Sequence, residues 1–233
     1  MMKKELINIF PLTLYKSSIE ISESEKKILI DEVYSMEKEI VTEKRTDSSW
    51  TGDVEGHEFL FNNKKFKILF DQIEDHIKSY LESLCIDLEK IDIFYQRAWA
   101  TISRGAEYIA AHKHTQSHIS FAYYLKKEDS DSQIAFFDKI KHNEIIPNMF
   151  SSPSVTQKKI IKNVNNLTAS NIKFNFKEND IVIFPSKTVH GTEFNKKNNE
   201  RISLSADIMV TAKDSSSLEH MMPSIDKWKK FKD

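Results

Sequence analysis

The sequence predicts an α+β fold, with helices first and a β-sandwich or barrel after them. Two stretches before residue 90 keep apolar residues at helical spacing. From Asp92 onward the chain breaks into short runs rich in Ile, Phe, Tyr, Val and Trp. At 233 residues, 39% hydrophobic and 30% charged, the chain is long enough for one domain with a core of its own.

The first helix is expected in "SESEKKILIDEVYSMEKEI", where Ser22 and Glu25 have capping-box spacing and Leu29, Val33, Met36 and Ile40 follow at helical intervals. The second is "KKFKILFDQIEDHIKSYLESL". Phe66, Leu69, Phe70, Ile73, Ile77, Tyr80, Leu81 and Leu84 form one apolar stripe there, suited to packing on a sheet. Six runs read as strands: "IDIFYQRAWATIS", "HISFAYYL", "SQIAFFD", "IKFNF", "DIVIFP" and "RISLSADIMV". A polar stretch, 139–171, separates the third run from the fourth; so long a loop within a domain is usually functional or mobile. The whole is read as a single domain, 1–233, with 1–90 as mainly helical support, 91–212 as the β core and 213–233 as a C-terminal tail.

Composition excludes several functions. Thirty-four Lys plus Arg nearly balance 35 Asp plus Glu, so no global field draws the chain to nucleic acid or anionic lipid. Cys85 is the only cysteine, which rules out an internal disulfide, a Cys-rich zinc site and an iron–sulfur cluster. The N-terminal residues hold no apolar stretch of the signal-peptide kind and no segment is apolar enough to span a bilayer. A cytoplasmic protein is expected, with no membrane partner, and oligomerisation is left open.

The candidate chemistry lies in "AHKHTQSHISFAYYL", residues 111–125, which puts His112, His114 and His118 within seven positions. On a strand, residues i and i+2 share a face, so His112 and His114 would project side by side as a chelating pair. A later histidine, His190 in "DIVIFPSKTVHGTEF", follows a strand and a Pro-containing turn. Two ligands from one strand and one from a later strand would cover one face of a metal and leave its other positions open. A His-x-His pair alone is weak evidence, since most histidines bind nothing. The odds rise with "NERISLSADI": Arg201 begins a strand with Ser203 on the same face, able to grip a carboxylate through two hydrogen bonds and add a third from the hydroxyl. Tyr124 could supply another donor. The plainer alternatives are a rim salt bridge from Arg201 to Glu200 or Glu193, and a core position for Tyr124. Arg104 and Tyr108 are candidates for contact with substrate, and "TQS" is turn-like enough that His118 should point away from the pair.

The ordered combination H-x-H, S-x-x-YYL, D-x-V-x-FPS, H-G and ERISLS resembles the iron(II)/2-oxoglutarate-dependent oxygenases, specifically a small oxygenase family of bacteria and phages related to prolyl hydroxylases. "NIFPLTLYKS", "SSWTGDVEGHEFL" and Trp99 followed by Arg104–Gly105 extend the likeness over most of the chain. The resemblance implies a double-stranded β-helix (jelly-roll) core with the N-terminal helices packed on one sheet. It further implies iron(II) bound by His112, His114 and His190, and 2-oxoglutarate held through its far carboxylate by Arg201 with Ser203 and Tyr124. The implied reaction is hydroxylation of an amino-acid, peptidyl or other small substrate, with release of succinate and carbon dioxide. His114 departs from the wider superfamily, whose middle ligand is usually Asp or Glu. Two other readings use the same residues: a cupin-like three-His metalloenzyme needing no 2-oxoglutarate, and a metal-free jelly-roll binding module.

Overall fold

The computed structural model describes residues 5–39, 48–129, 132–194 and 199–232. Its strands form two antiparallel sheets. The larger contains β1 (Tyr15–Ser18), β2 (Trp50–Thr51), β3 (Ile91–Arg104), β4 (Ile119–Lys126), β7 (Asp180–Pro185) and β9 (Glu200–Ala212), in the order β1-β7-β4-β9-β3-β2. The smaller contains β5 (Ile134–Phe137), β6 (Asn171–Phe174) and β8 (Val189–Thr192), in the order β6-β5-β8. This is a jelly-roll architecture with a helical layer on the larger sheet.

The helices form where their sequence signals lie. In α1 (Glu23–Lys38) the Ser22 side chain accepts from the Glu25 N–H while Glu25 reaches back to the Ser22 N–H, so two otherwise orphaned donors are satisfied. Leu29, Val33 and Met36 are buried, and Ile40 lies outside the described residues. In α2 (Lys67–Ser83) Leu69, Phe70, Ile73, Ile77, Tyr80 and Leu81 are buried. Leu84 sits at the C-cap and is exposed, because the helix has ended there.

Period-two alternation divides the larger sheet into two faces. Ile202, Leu204, Ala206 and Ile208 of β9 and Ile119, Phe121, Tyr123 and Leu125 of β4 pack with α1 and α2 in one core. The intervening residues face the smaller sheet, where Tyr124, Val182 and Phe184 meet Ile134, Phe136 and Phe176 in a second cluster. Strand β3 obeys the same rule only because it changes parity. Ile91, Ile93 and Tyr95 pack on the helical side, then the register against β9 shifts between Tyr95 and Arg97, after which Ala98, Ala100 and Ile102 take that side. Arg97, Trp99, Thr101 and Ser103 are thereby turned to the other face.

The segment before residue 90 is more than helical support: β1 pairs with β7 and β2 with β3, extending both edges of the larger sheet. Strand β8, four residues with β5 as its partner, is not among the six runs read as strands from the sequence. In the 139–171 stretch Asn171 opens β6, and the rest is turns and irregular chain with one short helix, α3 (Pro153–Gln157), and with Ile140, Ile145 and Val164 exposed.

The two-faced sheet gives a direct stability test. Ile73 of α2 is fully buried and Ile68 is 57% exposed. Replacing Ile73 by Ala should cost about 2–5 kcal/mol in denaturant unfolding. The same change at Ile68 should stay within about 0.5 kcal/mol.

Candidate metal centre and its cavity

The His-x-His segment does not lie within a strand. Strand β3 ends at Arg104 and β4 begins at Ile119, so His112 and His114 sit in the connection between them. Backbone hydrogen bonds replace the strand. The His112 N–H donates to the His190 carbonyl and the His190 N–H to that of His112, both at 2.9 Å, while the His114 N–H donates to the Ser186 carbonyl at 3.0 Å. The i,i+2 relation therefore still places the two rings side by side, with centroids 5.0 Å apart, and the bridge brings His190 of β8 against them at 4.5 Å from the His112 ring. One potential ligand atom from each of His112, His114 and His190 lies within 4.8 Å of the others. His118 points elsewhere, as expected, its Nδ1 accepting from the Val210 N–H at 3.0 Å.

The hydrogen bonds of the rings decide whether this cluster suits a metal. His112 Nδ1 lies 2.8 Å from the Ala110 carbonyl and His190 Nδ1 lies 2.9 Å from that of Thr188. A carbonyl only accepts, so both Nδ1 atoms must carry the proton. His114 Nδ1 meets a carboxylate oxygen of Asp207 and donates likewise. With Nδ1 carrying the proton, Nε2 is the atom left free to ligate, and those of His112 and His114 are only 3.1 Å apart. Two facing lone pairs repel unless a cation lies between them. Two nitrogens each about 2.1 Å from one metal and a right angle apart would stand about 3.0 Å apart. Burial also favours the neutral, ligating form: it lowers the His190 pKa to about 3 and, more mildly, lowers that of His112.

The same cavity, about 260 Å³ in volume, is lined by all three histidines and by Arg201, Ser203 and Tyr124. Arg201 is 2% exposed, and its guanidinium donates to the Ser132 Oγ at 2.6 Å and the Ser103 Oγ at 3.0 Å. The rim-salt-bridge alternative does not describe it, since Glu200 pairs with Arg104 and Lys126, and Glu193 with Lys173. Tyr124 is buried, which raises its pKa to about 12 and keeps the phenol protonated as a donor. Ser203 opposes Thr101 and Tyr124 across the sheet.

Arg104 and Tyr108, expected as substrate contacts, are not among the residues lining this cavity. Arg104 donates to Glu37 and Glu200, and those carboxylates, Glu37 above all, raise its pKa further; its fork is used to tie α1 to β9. The Tyr108 ring lies on Phe194, centroids 4.2 Å apart. Trp99 does line the cavity and stacks on the His114 ring at 5.8 Å. Sequence reading missed Asp207 and Arg97 altogether. Asp207 is fully buried and accepts from His114, from Arg97 (Nε 3.1 Å, Nη2 2.6 Å), from Gln116 and from Ser117. Burial alone would raise its pKa, but the His114 and Arg97 hydrogen bonds outweigh that and hold it at about 2.

Fold and side chains together define a jelly-roll protein with a three-histidine centre and a buried arginine in one cavity. A family model described as "Putative 2OG-Fe(II) oxygenase" matches residues 97–207, the stretch containing His112, His114, His190 and Arg201. A prolyl-4-hydroxylase from Pseudomonas putida is similar in structure at 10% identity and TM-score 0.52, over 85% of this chain and 92% of that one. HygX from Streptomyces hygroscopicus, with nickel and 2-oxoglutarate bound, is similar at 7% identity and TM-score 0.53, over 85% and 83%. The α-ketoglutarate-dependent epimerase SnoN from nogalamycin biosynthesis is similar at 11% identity and TM-score 0.54, over 86% and 81%. At such identities the likeness is one of fold. No curated protein matches the chain in sequence. Among the described residues, no helix is long and apolar enough to cross a membrane.

Two substitutions test this geometry. A Cβ on Gly191 would lie 2.9 Å from the Ile109 carbonyl oxygen and 3.0 Å from the Ala111 Cα. Backbone must shift to admit it, so Gly191→Ala should loosen the His112–His190 bridge and weaken zinc binding by about tenfold or more in isothermal titration. His112→Ala, His190→Ala and His114→Ala should each lose most bound iron, whereas His118→Ala should keep it. Iron per chain in the four variants is the measurement, and full occupancy in the His114 variant would remove that residue from the ligand set.

Proposed function

We propose that the protein is an iron(II)- and 2-oxoglutarate-dependent dioxygenase that hydroxylates an amino-acid, peptidyl or other small substrate. The observation that carries this reading is the presence of buried Arg201 in the same cavity as the three-histidine cluster. A three-histidine centre alone would serve a cupin-like enzyme equally well. A desolvated guanidinium in its cavity provides what a diacid co-substrate needs at its far end.

His112, His114 and His190 would hold iron(II) through Nε2. Iron(II) held there would supply the oxidation that, with 2-oxoglutarate and dioxygen as co-substrates, couples decarboxylation to succinate and carbon dioxide with hydroxylation of a substrate carbon. Arg201 binds the far carboxylate, and the Ser203 and Tyr124 hydroxyls donate to the same group. Tyr124 can do so throughout the physiological range because its pKa is raised to about 12. Ile134 and Phe184, which also line the cavity, keep water from that carboxylate and so strengthen its pairing with Arg201. Asp53, Lys113 and Gln116 make another part of the lining polar, which suits a hydrogen-bonding substrate.

Uncoupled turnover tests the proposal. With iron(II) and ascorbate the protein should convert 2-oxoglutarate to succinate, which neither a cupin-like enzyme nor a metal-free binding module would do. Arg201→Ala should raise the 2-oxoglutarate KM at least tenfold, corresponding to about 2–5 kcal/mol for truncating one side of a desolvated charge pair. An unchanged KM would remove Arg201 from its role.

A further inference from the structure

The three histidines are not equivalent. His112 and His190 donate their Nδ1–H groups to backbone carbonyls, whereas His114 donates to a buried carboxylate that Arg97 also holds. That carboxylate divides its two oxygens. Oδ2 takes Arg97, through both Nε and Nη2, and the Gln116 side-chain amide at 3.0 Å; Oδ1 takes His114 and a weaker contact from Ser117 at 3.2 Å. Arg97 thus stabilises the charge of Asp207 from one side and leaves the oxygen facing the metal centre to His114. The ring is fixed in two further ways, by stacking on Trp99 with an interplanar angle of 15° and by the His114 N–H bond to Ser186.

We infer that Asp207, locked by Arg97, is a positioning residue that gives His114 the charge character of a carboxylate ligand. The negative charge that Asp or Glu would bring directly to such a metal reaches it here through the imidazole. This inference rests on the three-histidine centre proposed above. An imidazole whose Nδ1–H donates to a carboxylate is held in the tautomer that frees Nε2 and is a stronger base at that atom. The arrangement also answers the departure noted in the sequence: a ring occupies the middle ligand position, and the acid stands directly behind it on β9.

The alternative is that Arg97 and Asp207 form a structural ion pair whose contact with His114 has no consequence for the metal. Cobalt(II) titration and imidazole 15N NMR of the zinc-loaded protein distinguish the two. Asp207→Asn keeps the shape and removes the charge. It should weaken cobalt(II) binding about 10–100-fold in the folded protein, the range seen when such partners of metal-bound histidines are lost. In wild-type protein the Nδ1 proton of His114 should be the furthest downfield of the three ligand rings, since it alone faces a carboxylate; in the variant it should move toward the other two. The inference is overturned if the folded variant binds cobalt(II) as tightly as wild type. It is equally overturned if the wild-type His114 proton is indistinguishable from those of His112 and His190, an observation that needs no variant to fold. A wild-type chain taking up neither cobalt nor zinc would overturn the three-histidine centre itself, and this inference with it.

Discussion

The alternation along β9 sets the positions of both the core and the site. Its even-numbered residues Ile202, Leu204, Ala206 and Ile208 are sealed against the helices. The odd-numbered ones between and beside them, Arg201, Ser203, Ser205 and Asp207, form one row on the opposite face. Burial of the aliphatic set fixes the register, because a one-residue slip would exchange the two faces and bury a guanidinium and a carboxylate among the helices. The energy that secures the core therefore also aims Arg201 and the acid behind His114 into the same space. The parity change in β3 at Tyr95–Arg97 extends this to the neighbouring strand, presenting Arg97 to Asp207 and Trp99 to His114.

The histidines need a second constraint, because none of them lies on that sheet. His112 and His114 belong to a connection and His190 to the smaller sheet, and the paired backbone bonds between His112 and His190 join the two. Gly191 permits this join, since the Ile109–Ala111 backbone passes where a side chain would stand. The cavity is consequently built from both sheets: the larger supplies Arg201 and Ser203, and the bridged segments supply the three histidines.

Much of this was legible in the sequence where a local rule operates. The capping box at Ser22 and the stripe from Leu69 to Leu81 specify α1 and α2, and alternation correctly placed Arg201 and Ser203 on one face. Extending that alternation by four residues would have reached Asp207, so its signal was present. Other features have no local signature. Strand β8 is only four residues long and exists because β5 pairs with it. The parity change in β3 is a property of its register with β9. The partners of Arg104, Glu37 and Glu200, are 67 and 96 residues away in sequence. Contacts at such separation are decided by topology, which spacing in a single sequence does not report.

The central claim is that the metal and Arg201 serve one molecule of 2-oxoglutarate, held between them in a single cavity. The most direct test is an anaerobic optical titration of the iron(II)-loaded protein with 2-oxoglutarate. Chelation of the metal by the 2-oxo acid group should produce a saturable visible charge-transfer band, and in Arg201→Ala the same band should require far higher concentrations. A wild-type protein that binds iron(II) yet develops no band at any concentration of 2-oxoglutarate would contradict the account.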